Sequence, residues 1–392
     1  MKIALVCDWL TNVGGAEKVL LELHHLYPQA PIYTSQYNPR KIDWFLDADV
    51  RTGWLQELPS GLRKFLGPLR QKWFSRLDLS GYDLVISVTG AEAKSVKAPD
   101  GVHISYCHVP TQYYWQMYDE YVDNPGFGFL NPVVRFFFKL MVKPLRKKDF
   151  EAAQDVDQFV TISEYARDLI SKYYKRDAVV VHPPVEVEEF ALGGKAATAC
   201  PSDTLQAAQA KSSRSVEHIV ATLPPEYYIT TSRQVNWKRL DLAVKACVKS
   251  KRRLLVVGEG PEHKELVRMA DGSELIEFLP LQKKEELAKL LAGAKGYIFP
   301  SMEPFGIAPV EALAAGCPVI AFGKGGALDY VKDGKNGVLF EKQSVKSLRE
   351  ALDKFERKIF NRTEVSKSVD EFAVERFDQE IRRLVDEKSK NH

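Results

Sequence analysis

From Lys2 to Cys7 the chain reads KIALVC, an apolar run after a single lysine, without the polar alternation of a strand that keeps one face in water. Such a run needs cover on both faces, the situation of a parallel strand between helices. The cover comes next in the chain. After the loop Thr11-Asn12-Val13-Gly14-Gly15, the residues Val19, Leu20, Leu23 and Leu26 recur at helical spacing and form one apolar stripe. Further strand signals at residues 84–88, 102–107, 159–162 and 179–181 alternate with turns and helical patterns. The series restarts near Tyr228 with the strand YYITTS, a helix over 240–248 carrying Leu240, Ala243, Val244 and Cys247 on one face, and a strand over 254–257. The turn Gly258-Glu259-Gly260-Pro261 and further units at 275–278, 285–291 and 296–299 follow. This order predicts an α/β chain of two tandem Rossmann-like, doubly wound domains facing a central cleft, with ligands at the carboxyl ends of the strands and between the domains.

At 392 residues the chain exceeds what one hydrophobic core usually supports, so two independent interiors are expected. Residues 1–188 read as the first domain, 189–226 as linker plus insertion, 227–369 as the second domain and 370–392 as a C-terminal helix. The stretch 191–225 is rich in Ala, Ser, Gln and Lys, and the tail carries an apolar stripe of Phe372, Val374, Phe377, Ile381 and Leu384 that needs a surface, for which the N-terminal domain is the candidate. Cys7, Cys107, Cys200, Cys247 and Cys317 are odd in number and form no CxxC pair, which points to reduced thiols, a cytoplasmic setting and no zinc site. A net charge of +3, with bases and acids mostly interleaved, gives no reason to expect a nucleic-acid partner.

The opening MKIALVCDWL meets Asp8 too early to be a secretory signal, and RFFFKLMVK, the most hydrophobic stretch, is broken by charge, so no spanning helix is expected. Two segments leave open a peripheral contact with an anionic inner membrane face. In residues 61–77 the bases Arg63, Lys64, Arg70, Lys72 and Arg76 interleave with large apolar residues, and residues 135–148 repeat the combination. Ordinary helices with a buried stripe and a solvated basic face are the plainer alternative for both.

The densest chemistry lies in FPSMEPFGIAPVEALAAGCPVI, residues 299–320. Pro304 and Gly306 punctuate a turn, Pro309 fits a first helical turn in which no N–H is needed, and Gly316 closes the helix before a strand at 318–321. With a helix beginning near Ala308, Glu303 lies in the loop and Glu311 in the first turn. A continuous helix through both would separate them by about 12 Å along its axis, so the turn is what could bring the two carboxylates to one site. The amides of Phe305, Gly306 and Ile307 would line an electropositive helix start suited to phosphate. Upstream, Arg233 and Lys238 follow the first strand of the second domain, one a planar fork and the other a mobile point charge, a combination that suits a diphosphate. Each piece alone is equally an ordinary βα turn or a solvated loop cation; together they read as a sugar-nucleotide pocket. His108 ends another strand and precedes Tyr113, Tyr114, Trp115, Tyr118 and Tyr121, whose faces suit sugar rings as well as a core. Asp47-Ala48-Asp49 and Asp155-Val156-Asp157 have DxD spacing but precede their apolar runs, so they read as solvated turns and no metal site is expected.

Arg233 with Lys238, followed by Glu303 and Glu311, resembles the signature of the retaining glycosyltransferases of GT-B fold grouped as family 4 (group 1). The likeness extends over nearly the whole chain. It includes Gly14-Gly15-Ala16-Glu17, Tyr106-Cys107-His108-Val109-Pro110, Ile162-Ser163-Glu164-Tyr165, His182-Pro183-Pro184-Val185, Gly258-Glu259-Gly260-Pro261 and Gly325-Gly326 before Asp333-Gly334. The resemblance implies a nucleotide-diphosphate-sugar donor used without metal or other cofactor. Arg233 and Lys238 would grip the diphosphate, Glu311 would bond the ribose hydroxyls, Glu303 would face the transferred sugar, and the backbone of Phe305, Gly306 and Ile307 would contact sugar or phosphate. Gly14 and Gly15 would allow close approach from the first domain, His108 would reach the sugar across the cleft, and Gly258 and Leu281 would seat the base. Pro280 and Asp329 depart from the pattern, standing where a glycine and a glutamate are frequent.

The opening CDWLTNVGGAEKVL and the stretch around His108 look most like bacterial mannosyltransferases of polysaccharide assembly. GDP-mannose is therefore the first expected donor, a UDP-sugar the alternative, and a polysaccharide or lipid-linked glycan the expected acceptor. The rival functions are a nucleotide-sugar epimerase and an inactive sugar-nucleotide-binding scaffold. A dinucleotide oxidoreductase is disfavoured because residues 2–19 lack GxGxxG.

Overall fold

The computed structural model describes residues 1–59, 66–123, 128, 131–191 and 226–389. Arg63, Lys64, Cys200 and nearly all of the expected insertion lie outside the described residues. The chain divides into two units, Met1–Pro184 with Glu375–His392, and Val185–Val374.

The first unit is built on a parallel sheet of order β3-β2-β1-β4-β5-β6-β7. Its strands are β1 (Ile3–Cys7), β2 (Ile32–Thr34), β3 (Val50–Arg51), β4 (Leu84–Thr89), β5 (Val102–Cys107), β6 (Gln158–Thr161) and β7 (Ala178–Val180). The chain winds outward from β1 to β3 and then returns to β4 on the other flank of β1, with Ile3 opposite Leu84 and Cys7 opposite Val88. Loops leaving β1 and β4 therefore diverge from adjacent strands, the switch point at which open α/β sheets bind ligands. Every residue of β4 and β5 is buried, the polar ones included: Ser87 bonds to His103 at 2.8 Å and to Ser105 at 3.0 Å. Val19, Leu20, Leu23 and Leu26 of the helix Gly15–Leu26 supply cover as their spacing requires. The helix Val374–Ser389 buries Phe377, Ile381, Leu384 and Val385, with the Phe377 ring edge-on to Tyr106 at 5.9 Å.

The second unit repeats the winding in the order β10-β9-β8-β11-β12-β13. Its strands are β8 (Tyr228–Thr231), β9 (Leu254–Val257), β10 (Ile276–Leu279), β11 (Gly296–Phe299), β12 (Val319–Phe322) and β13 (Gly337–Phe340). Here β8 and β11 form the switch point, with Tyr297 opposite Ile229. The helix Leu240–Ser250 buries Leu240, Ala243, Val244 and Cys247, and shares a core with Leu348, Leu352 and Phe355 of the helix Val345–Glu356. The first residues of the unit are tied to it locally: Val185 N donates to Phe372 O at 3.0 Å, and Lys284 pairs with Glu186 at 2.7 Å.

The first basic segment departs from expectation. In the helix Gly67–Phe74, Arg70 is buried rather than solvated, paired with Glu92 at 2.8 Å and stacked 4.9 Å over Trp9, so it is a core cation. Cys7, Cys107, Cys247 and Cys317 are buried free thiols. Among the described residues no helix is long and apolar enough to cross a membrane.

Candidate functional site

Parallel pairing sends the exits of β8, β9, β10 and β11 to one edge of the second sheet. Those exits carry Arg233 and Lys238, Gly258, Leu281, and Glu303 with Phe305, Gly306 and Ile307, so the positions expected from the second half of the sequence share one end of one sheet. The closest convergence is at the switch point. Lys238 Nζ lies 2.6 Å from Glu303 Oε2, and Ser301 Oγ donates to Glu303 Oε1 at 2.7 Å. Both carboxylate oxygens are thus engaged and the side chain is aimed. Lys238 and Glu303 keep 22% and 17% exposure, so the pair is reachable from solvent, whereas Ser301 is buried.

Tyr297, inside β11, fastens the two exits together. Its hydroxyl donates to Thr231 O at 2.9 Å and accepts from Thr231 N at 3.2 Å. Burial chiefly, and then the negative fields of both Glu303 and Glu311, push that hydroxyl's pKa up against the opposing bonds from Thr231. Both carboxylates therefore act on one buried neighbour, Tyr297. The helix itself runs Ile307–Ala314, starting one residue earlier than expected and leaving Glu311 just beyond the first turn. The early start is possible because Gly306, at φ 95°, can take a conformation that side chains disfavour. A Cβ there would come within 2.7 Å of the Phe299 ring.

The first amides of a helix have no acceptor within it, and Gly306 at the N-cap has no side chain to supply one. The Phe305 side chain does not face a ligand. It is buried between Tyr330 and Phe372 at ring distances of 5.4 and 5.7 Å, and its carbonyl accepts from Tyr330 OH at 2.8 Å. It anchors the loop. Gly325 and Gly326 brace the same loop from β12: Gly326 N donates to Glu303 O at 2.8 Å, and a Cβ on Gly326 would stand 2.3 Å from Pro304 O. On the other side Gln234, fully buried, donates to Gly258 O at 2.6 Å and meets His263 Nδ1 at 2.8 Å. A Cβ on Gly258 would lie 2.2 Å from Ser232 O, so the β8 and β9 exits touch backbone to backbone. Arg233 and Leu281 are exposed, and among the described residues nothing holds the Arg233 guanidinium.

Sequence reasoning did not single out Ser301, Tyr297, Tyr330 or Gln234. Only the Gly325-Gly326 pair carried a visible signal.

The remaining expected positions belong to the first unit. His108 leaves β5, its N–H donating to Thr89 O at 2.8 Å and its ring edge-on to Tyr106 at 5.5 Å. Although the residue is half-buried, its Nε2 is fully buried without a partner, and burial pushes its pKa down to about 4, so the ring is neutral near pH 7. Gly14 is extended at the start of the helix Gly15–Leu26, and a Cβ there would meet only the movable carboxylate end of Glu17. The backbone of this unit therefore does not itself demand glycine at 14. Much of the aromatic cluster is core, since Tyr114 is buried and Trp115 Nε1 donates to Asp149 at 2.7 Å. Acids of the two DxD sequences have protein partners: Asp49 pairs with Arg51 at 2.6 Å, and Asp157 accepts from His103 N at 2.7 Å.

Residues 217–371 match the family model Glycosyl transferases group 1. A D-inositol 3-phosphate glycosyltransferase of Mycobacterium marinum is 31% identical over 206 residues, which is 50% of this chain and 41% of that protein. One from Mycobacterium tuberculosis (strain F11) is 31% identical over 210 residues, 50% of this chain and 39% of that protein. The chain thus spans about two fifths of the length of these curated relatives. Among solved structures, Anabaena HepE in complex with UDP matches with a TM-score of 0.70 at 18% identity, covering 99% of this chain and 100% of that one. Sucrose-phosphate synthase from Thermosynechococcus elongatus matches with a TM-score of 0.70 at 15% identity over 99% of each chain. These likenesses establish the fold as GT-B, and the group 1 family match falls within residues 217–371.

Proposed function

We propose that the chain transfers a hexose from a nucleotide diphosphate donor to a polysaccharide or lipid-linked glycan, retaining the anomeric configuration and needing no metal. The observation that carries this reading is Lys238 held 2.6 Å from Glu303 at the β8/β11 switch point, beside the uncapped start of the helix Ile307–Ala314. Breaking a sugar–phosphate bond builds negative charge on the diphosphate and positive charge on the ring. Arg233, Lys238 and the amides of Gly306 and Ile307 would stabilise the first, and Glu303 the second. A diphosphate offers Lys238 more negative charge than one carboxylate does, so donor binding would draw the ammonium toward phosphate while Ser301 keeps Glu303 aimed at the sugar. Glu311 would bond the ribose, and Gly258 and Leu281 would border the base. The departing phosphate oxygen would take the acceptor's proton, so the reaction asks for no dedicated protein base. For His108 the proposal, which rests on the family resemblance, is a contact with the transferred sugar. Replacing His108 by alanine should lower turnover without unfolding the chain, and unchanged turnover would remove it.

GDP-mannose, followed by a UDP-hexose, is the donor order that the N-terminal resemblance favours. The second reading gains from HepE, which was solved with UDP and with UDP-glucose. Thermal-shift measurements with GDP, UDP and their sugars decide between them, because a ligand of the native state raises the melting temperature by mass action. Labelled donor without acceptor then separates the functions. Slow hydrolysis marks a transferase, isomerised sugar an epimerase, and binding without turnover a scaffold.

A further inference from the structure

The helix Asn131–Gln154 has two apolar faces, and only one of them is covered. Val142, Leu145 and Ala153 are buried, and Asp149 is buried with them through its 2.6 Å bond to Lys94. On the opposite side Val133, Phe136, Phe137, Leu140 and Met141 are between 44% and 66% exposed. Their spacing of three, four, seven and eight residues from Val133 places them on one continuous stripe, about 180° around the helix from Val142. Exposed apolar residues scattered singly are unremarkable, but five large ones in one stripe mark a surface that meets something other than water.

Charge selects the partner. Between Asn131 and Lys148 the sequence has no acid, and Lys139, Lys143, Lys147 and Lys148 are all exposed beside or along the stripe. Arg135 and Arg146 are occupied elsewhere, donating to Val122 O at 2.8 Å and to Tyr114 O respectively. The nearest acids in the preceding helix, Tyr118–Asp123, belong to an element that packs on the covered side, where Tyr118 meets Phe138 at 5.7 Å. The exposed Lys147–Glu151 contact, at 3.8 Å, is too weak to neutralise the patch. A second copy of the chain, docked here by a two-fold axis, would bring like charges together.

We propose that this face of the helix Asn131–Gln154 lies in the plane of a bilayer containing anionic lipid, with Phe136, Phe137 and Leu140 entering the acyl boundary and the lysines reaching the headgroups. The proposal stands independently of the donor assignment. Co-sedimentation of the full chain with phosphatidylcholine vesicles, with and without phosphatidylglycerol, tests it. The wild type should pellet with the mixed vesicles and release in high salt. Phe136→Ser/Phe137→Ser/Leu140→Ser should weaken binding by about tenfold or more, and Lys139→Glu/Lys143→Glu should weaken it on anionic vesicles. Both variants should keep the wild-type melting temperature. The idea is overturned if the wild type stays in solution with both vesicles, if the serine variant binds as well as the wild type, or if anionic lipid makes no difference. It is equally overturned if the wild type ignores vesicles but forms a dimer that the serine substitutions dissociate.

Discussion

Both sheets place a carboxylate at the switch point, and the two are built in opposite ways. Leaving β1, Asp8 accepts from Thr89 Oγ1 and from the backbone amides of Gly90, Ala91 and Ala93 at 2.7–3.1 Å, and it is buried. Leaving β11, Glu303 has one hydroxyl and one mobile ammonium, and remains partly open. The difference separates a closed carboxylate from an open one. A carboxylate saturated by fixed backbone donors holds two strand exits together, whereas one whose main partner can be exchanged is available to an incoming ligand.

The largest effect should come from removing the closed one. Asp8→Ala strands several buried donors and should lower the unfolding free energy by about 3 kcal/mol or more, read from denaturant curves. A loss below about 1 kcal/mol would erase the distinction from Glu303.

Acid should also single out the first unit. His103 in β5 is buried with no partner at Nδ1, and burial pushes its pKa from 6.5 down to about 4. The unfolded chain therefore takes up that proton first. Its contribution is intact above about pH 6.5 and fades toward pH 4, by up to about 3 kcal/mol. Stability measured across this window should fall less steeply in His103→Gln than in the wild type, and parallel profiles would refute the assignment.

At the exchangeable site the effects should be smaller and should fall on function. Glu303→Ala should lose at least about tenfold in turnover, or about 1.4 kcal/mol of barrier, at an unchanged melting temperature. Lys238→Ala should weaken nucleoside diphosphate binding by about tenfold while sparing the nucleoside. Equal losses for both ligands would contradict a diphosphate role. The smallest change is expected for Ser301→Ala, about threefold in turnover, since it loosens only one neutral-donor bond to Glu303. No change there would leave the serine without a positioning role.

The inner strands were legible because burial on both faces forces continuous apolar runs, and β9 and β11 fall where those runs do. The short strands Ile32–Thr34 and Val50–Arg51 were not, because two or three residues carry no periodicity and owe their pairing to neighbours. At the site, residue types were readable but convergence was not. Lys238 and Glu303 are 65 positions apart and meet only because β8 and β11 are adjacent, which no local pattern encodes. Asp8 passed as a polar stop after the first strand because its partners lie more than 80 positions away. The long helix stayed open between two readings for another reason: apolar residues occupy two faces, and spacing alone cannot say which of them the protein covers.

One modest contact in the second unit has a practical corollary. Val185 and Ala373 form an isolated parallel bridge, so the segment that opens this unit and the one that closes it run side by side. A fold whose two ends already meet can be excised with little lost closure, or permuted by a short splice between them. A fragment spanning 185–374, expressed alone, should therefore retain the Lys238–Glu303 pair and make nucleotide capture measurable apart from catalysis.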